Sequence, residues 1–72
     1  MRLVTWNVNS VRLRLENLKR LSDTLRPDVI CLQETKVVDD DFPRDGITAL
    51  GYVHHVIHGQ KSYNGVAIFS RL

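Results

Sequence analysis

Apolar and polar positions divide the chain into a short series of elements. Leu3 to Val8 is apolar and β-branched with Trp6 inside it, which predicts a strand. Asn9-Ser10 breaks the run and is placed to cap a helix with a short polar side chain. Val11, Leu15, Leu18, Leu21 and Leu25 then recur at spacings of three and four, the signature of one helical face. Arg12, Glu16, Lys19, Arg20 and Asp23 fall mostly off that face. Arg26-Pro27 ends the helix, since the residue before proline is pushed out of the α region. Val29-Ile30-Cys31-Leu32 is apolar at every position and reads as a strand buried on both faces. Strand, helix, strand is a crossover unit, right-handed if the strands are parallel.

Residues 37–51 carry Asp39-Asp40-Asp41, Pro43, Gly46 and Gly51 and read as a surface loop. Tyr52 to Ile57 and Val66 to Ser70 read as two further strands, joined by a hairpin-like loop from His58 to Gly65. No repeat, linker or low-complexity tract interrupts the pattern. The elements describe an α/β fold with one partial domain over residues 1–72. The last strand is followed only by Arg71-Leu72, with no helix to cover the sheet's second face. An uncovered apolar face is an association hazard, so a part of a larger domain is expected.

Length and composition narrow the picture. A chain of 72 residues makes one small domain. A domain of this size buries only roughly 60% of its extended surface on folding. Cys31 is the only cysteine, so no disulfide framework exists, and an unpaired cysteine in an apolar run suits packing in a reducing compartment. No apolar stretch approaches membrane-spanning length, and Asn7 interrupts the start too early for a signal peptide. A cytoplasmic protein with no membrane partner is expected. The formal charge is +2. Its distribution says more, because residues 1–27 hold six of the ten Lys and Arg but only Glu16 and Asp23 as acids.

The polar residues at strand ends are the main chemical candidates. Glu34 reads as a divalent-metal ligand at the carboxyl end of a buried strand, where open α/β folds place ligands. The plainer reading, which pattern alone favours, is a solvated residue just past a strand or a partner for Lys36. Asn7 stands at the corresponding end of the first strand and otherwise would bond loop backbone. Together they suit Mg²⁺, which needs one or two carboxylates beside waters and a substrate phosphate. Asp39-Asp40-Asp41 lacks the spacing and glycine of a calcium loop and reads as solvated. His54, His55 and His58 lie on a strand, with His54 and His58 on one side and His55 on the other, and read as surface residues rather than a zinc site. The loop Gly59-Gln60-Lys61-Ser62-Tyr63-Asn64-Gly65 mixes a cation, amides, hydroxyls and an aromatic, which suits phosphate and sugar contacts as well as an ordinary hairpin. Arg12 and Arg14 either contact phosphate or solvate a helix start. No general base, catalytic triad or phosphate-cradling P-loop is evident.

Three segments carry a resemblance. Trp6-Asn7-Val8-Asn9-Ser10-Val11-Arg12, Pro27-Asp28-Val29-Ile30-Cys31-Leu32-Gln33-Glu34-Thr35-Lys36 and Gly59 to Arg71 are similar to the exodeoxyribonuclease III branch of the exonuclease–endonuclease–phosphatase superfamily. Trp-Asn and Gln-Glu mark the superfamily, which includes other phosphodiesterases and phosphatases. Asn-Ser-Val-Arg and the Gly59–Gly65 loop point to its DNA-repair branch. The resemblance implies the N-terminal part of a four-layered α/β sandwich, with two mixed β-sheets packed face to face and helices outside. It implies hydrolysis of DNA phosphodiesters with Mg²⁺ or Mn²⁺, as a 3′-to-5′ exonuclease on duplex DNA and an endonuclease 5′ to abasic sites, in a monomeric protein. By this resemblance Glu34 is the metal ligand and Asn7 helps hold metal and phosphate. Lys36 supports them, and Arg12, Tyr63 and Asn64 contact DNA. The family's later Asp/Asn motif, catalytic tyrosine and Asp-His pair have no counterpart here, so the 72 residues alone are expected to be inactive. The contrasting expectation is a non-catalytic chain that binds DNA or a partner through its exposed sheet.

Overall fold

The computed structural model describes all residues, Met1 to Leu72. Four strands, β1 (Leu3–Asn7), β2 (Val29–Gln33), β3 (His54–His58) and β4 (Val66–Ser70), form one mixed sheet in the order β1-β2-β4-β3. β1 and β2 run parallel, joined through α1 (Leu15–Leu25), as the crossover pattern predicts. β4 is antiparallel to both β2 and β3.

The sheet buries one face. Ile30, Leu32, Ala67 and Phe69 share a cluster with Leu18 of α1 and with Val8, Val11, Val37, Phe42, Ile47 and Tyr52. Strand alternation puts the other set outward, and there Leu3, Val56, Val66 and Ile68 remain exposed. β2 is therefore fully buried on one side only, with Val29, Cys31 and Gln33 half-buried on the other. The 72 residues supply one sheet and one helical layer of the sandwich expected for this sequence.

Three local expectations change. Asn9 and Ser10 do not cap a helix; both have positive φ, and the chain enters α1 through a 3₁₀ turn, Arg12–Arg14, without a side-chain cap. Residues 37–51 are not simply a loop: they hold a 3₁₀ turn at Asp39–Asp41 and the short α2 (Arg44–Thr48). Val37, Phe42 and Ile47 from this stretch enter the core, which polar composition around them hid. Tyr52 lies before β3, buried, with its hydroxyl donating to Pro27 O at 2.6 Å. The helix does stop at Arg26, but in the left-handed region, its N–H donating to Ser22 O.

His55 also departs from a plain surface residue. It is half-buried, with its ring edge-on to Phe69 at 5.2 Å between centroids. His54 and His58 are exposed on the opposite side, as alternation predicts. No group of three His, Cys, Asp or Glu side chains is placed to hold a metal by itself.

Candidate active site

Register decides what meets at the sheet's edge. Asn7 pairs with Gln33, Gln33 with Val66, and Val66 with His58. The loops after β1, β2 and β3 therefore emerge side by side at one end of the sheet. Glu34 follows Gln33, so it stands next to Asn7 although 27 residues separate them.

Asn7 donates from its amide nitrogen to Glu34 Oε2. A carboxylate only accepts, so this amide orientation satisfies both groups. Asn7 Oδ1 accepts the Asn9 N–H at 3.2 Å, which fixes the other end of the amide. Lys36 Nζ donates to Asn9 Oδ1 at 2.6 Å and lies 3.8 Å from Glu34 Oε1. Asn7, Asn9, Glu34 and Lys36 thus form one polar network at the carboxyl ends of two parallel strands. Sequence pattern marks Asn9 only as a helix cap and misses its place in this network. Its position two residues past a strand end, beside Asn7, is the signal the sequence offers.

Backbone bonds hold these loops together. Ser10 N–H donates to Glu34 O at 2.9 Å and Val11 N–H to Thr35 O at 3.1 Å. Thr35 N–H donates to Gly65 O at 3.2 Å and Lys36 N–H to Asn64 O at 2.8 Å. The Gly59–Gly65 loop is therefore latched directly onto the Glu34–Lys36 segment. Seven residues other than glycine have positive φ, and six of them (Asn9, Ser10, Glu34, Lys36, Ser62 and Asn64) lie in these loops. Such strained backbone gathers at functional sites, where surrounding contacts hold it in place.

Two glycines permit the packing. Gly65 has φ +91°, and a Cβ there would overlap Thr35 Oγ1. A Cβ on Gly59 would strike the carbonyl of Val37, while its N–H donates to Asp39 Oδ1 at 2.6 Å. The acidic run is thus solvated but anchors the loop through one carboxylate. Thr35 is buried between Glu34 and Lys36, and its hydroxyl has no hydrogen-bond partner.

Arg12, Tyr63 and Asn64 are exposed around the network. Asn64 is held by its side chain, donating to Gln60 Oε1 at 3.0 Å. Arg14 lies in the same 3₁₀ turn as Arg12 and is half-buried. Cys31 is on the open sheet face, away from the network's loops.

Residues 4–72 match the model of the endonuclease/exonuclease/phosphatase family. Exodeoxyribonuclease III of Haemophilus influenzae is 41% identical over 71 residues, 99% of this chain and 26% of its own. An AP endonuclease from Archaeoglobus fulgidus superposes with a TM-score of 0.92 at 42% identity, over 99% of this chain and 27% of its own. A 3′ phosphatase from Neisseria, bound to a product DNA hairpin, gives 0.92 at 46% identity over the same shares. The chain thus spans about a quarter of the length of these relatives. It belongs to the endonuclease/exonuclease/phosphatase family, whose exonuclease III and AP endonuclease members are DNA-acting hydrolases that generally depend on a divalent metal.

Proposed function

We propose that the protein carrying these residues is a DNA-repair hydrolase. It cuts phosphodiesters 5′ to abasic sites and removes nucleotides from the 3′ ends of duplex DNA. The observation that carries this reading is the network of Asn7, Asn9, Glu34 and Lys36 at adjacent strand ends, in a chain of this family.

The donor set fits a hard divalent cation, Mg²⁺ or Mn²⁺. One carboxylate with amide and water oxygens suffices where substrate phosphate completes the shell. Glu34 would hold the ion, and when bound the metal offsets charge developing on the phosphoryl oxygens. Asn7 acts on Glu34 itself, since its amide pins one carboxylate oxygen and fixes the direction of the side chain. Lys36 places a positive charge beside the same carboxylate and is itself aimed by Asn9. Preorganised charge of this kind contributes most where water is excluded and nothing must reorient during reaction. Tyr63 and Asn64 stand at the rim to meet the duplex, and Arg12 to meet its backbone.

Glu34 belongs to no group of three carboxylates or imidazoles that could share metal binding and activation of water. Catalytic residues act as a unit, so the 72 residues alone are expected to leave DNA intact. The test is incision of a duplex carrying one abasic site, in metal and in chelator. It compares the 72-residue chain with the same residues joined to the remaining length of a relative. Metal-dependent incision by the longer protein, lost on Glu34→Ala, supports the reading. Incision that survives Glu34→Ala refutes it.

A further inference from the structure

The face of the sheet turned away from α1 is open, and it carries no formal charge. None of the four strands contains Lys, Arg, Asp or Glu, so all of those residues sit off the sheet. Register lines up Thr5, Cys31, Ile68 and Val56 across the middle of this face, one from each strand. Val56 and Ile68 are 70% and 47% exposed, and Leu3 at one corner is 62% exposed. A shallow cavity of about 230 Å³ opens beside Cys31, Val56, Val66 and Ile68, with room for an apolar side chain from outside. Several polar groups of the face already have partners. Gln33 Nε2 donates to Thr5 Oγ1 at 2.9 Å, and Ser70 Oγ accepts the Leu72 N–H at 3.1 Å. Covering these groups therefore leaves none of them stranded. His54 and His58 are exposed at the β3 edge and give the apolar centre a polar rim, the anatomy of a protein interface.

We propose that this face docks a second copy of the 72-residue chain, sheet against sheet, in a two-fold pair. An uncharged face does not repel its own copy, and it offers no counter-charge to select a charged partner. Two sheets of the same twist pack face to face about 10 Å apart, at about −30°, with their side chains interleaved. Both copies use one patch, so the pair closes at two and leaves no further face to extend. A strand spacing of about 4.8 Å and a rise of about 3.3 Å per residue make each face about 19 by 17 Å. The pair therefore covers about 650 Å², short of the roughly 1,200 Å² of a stable complex, so it forms weakly and reversibly as concentration rises.

The experiment is sedimentation equilibrium of the 72-residue chain over about a hundredfold range of concentration. The mass is expected to rise from one chain towards two and to stop there. Cys31 reports the place of contact. It is half-buried on this face, and its alkylation by iodoacetamide should slow in step with the fraction of dimer. Val56→Lys and Ile68→Lys each set a charge against an apolar copy and should weaken the pair at least about tenfold. Both side chains are exposed, so their replacement does not open the core. Leu13→Lys adds the same charge at an exposed apolar residue in the turn before α1 and should leave the pair unchanged. A single-chain mass at every concentration overturns the proposal. A dimer whose Cys31 reacts at an undiminished rate also overturns it, as does one that Leu13→Lys weakens as much as Val56→Lys, because the contact then lies elsewhere. Growth past two chains replaces the closed pair with edge-to-edge strand pairing. Two other occupants are read in the same assay. If the chain stays monomeric while the remaining length of a relative slows Cys31 alkylation, the face belongs to that segment. If phosphatidylcholine vesicles slow it instead, the face belongs to a lipid surface.

Discussion

Replacing Gly65 by alanine tests whether the loop latch holds the site together. The residue has φ +91°, and its missing Cβ leaves the space that Thr35 Oγ1 fills. Two costs follow. Holding a residue with a Cβ in this backbone region costs about 1–3 kcal/mol. Overlap with a buried neighbour that cannot swing away costs about 1–3 kcal/mol more. Thr35 cannot swing away, because its N–H is bonded to Gly65 O, its carbonyl to Val11 N–H, and its side chain is buried. The sum is about 2–6 kcal/mol. Typical stability per residue gives a chain of this size only about 4–11 kcal/mol. The variant should therefore melt at least about 8 °C lower, followed by circular dichroism. A second variant separates the two costs. Thr35→Ala in the Gly65→Ala background removes the overlap and should recover part of the loss, leaving the backbone strain. Thr35→Val keeps the volume and removes only an unpartnered hydroxyl, so it should be neutral or slightly stabilising. An unchanged melting temperature for Gly65→Ala, or no recovery in the double variant, would refute the argument.

Three further outcomes are expected. Gly59→Ala drives a Cβ into the Val37 carbonyl and should lower the melting temperature while displacing the Asp39 bond, read as faster amide exchange at residue 59. Tyr52→Phe leaves the Pro27 carbonyl without its donor and should cost about 1–2 kcal/mol in a urea titration. Asp28 is held below the usual carboxylate range, first by the Arg2 N–H and then by the Arg71 guanidinium. A depressed carboxylate contributes stability above its unfolded value, about 3.9, and loses it as pH falls through the lower folded value. Denaturation midpoints should therefore drop below about pH 4 in the unaltered chain and less steeply in Asp28→Asn. An identical acid profile in the two proteins would rule out that contribution.

The pattern along the chain determined the elements. Apolar, β-branched runs marked the strands, and apolar spacing at three and four marked α1, because burial on one helical face imposes that repeat wherever the chain folds. β4 lies where it was expected, from Val66 to Ser70. Glu34 and Asn7 were legible as candidates because a polar residue at the end of a buried strand has few structural reasons to be there, whereas Lys36 entered only through the resemblance to the family. Other features were not legible because they depend on neighbours distant in sequence. Asn9 and Ser10 look like caps locally, yet bonds from Glu34 and Lys36 pull them into the site instead. Phe42 and Ile47 sit among acids and glycines, so no local repeat announces that they close the core. Above all, the strand order β1-β2-β4-β3 brings three loops to one edge. Local propensity acts over a few residues and fixes what each segment becomes. Sheet pairing acts over tens of residues, and it alone put Arg12, Lys36 and Lys61 around one groove.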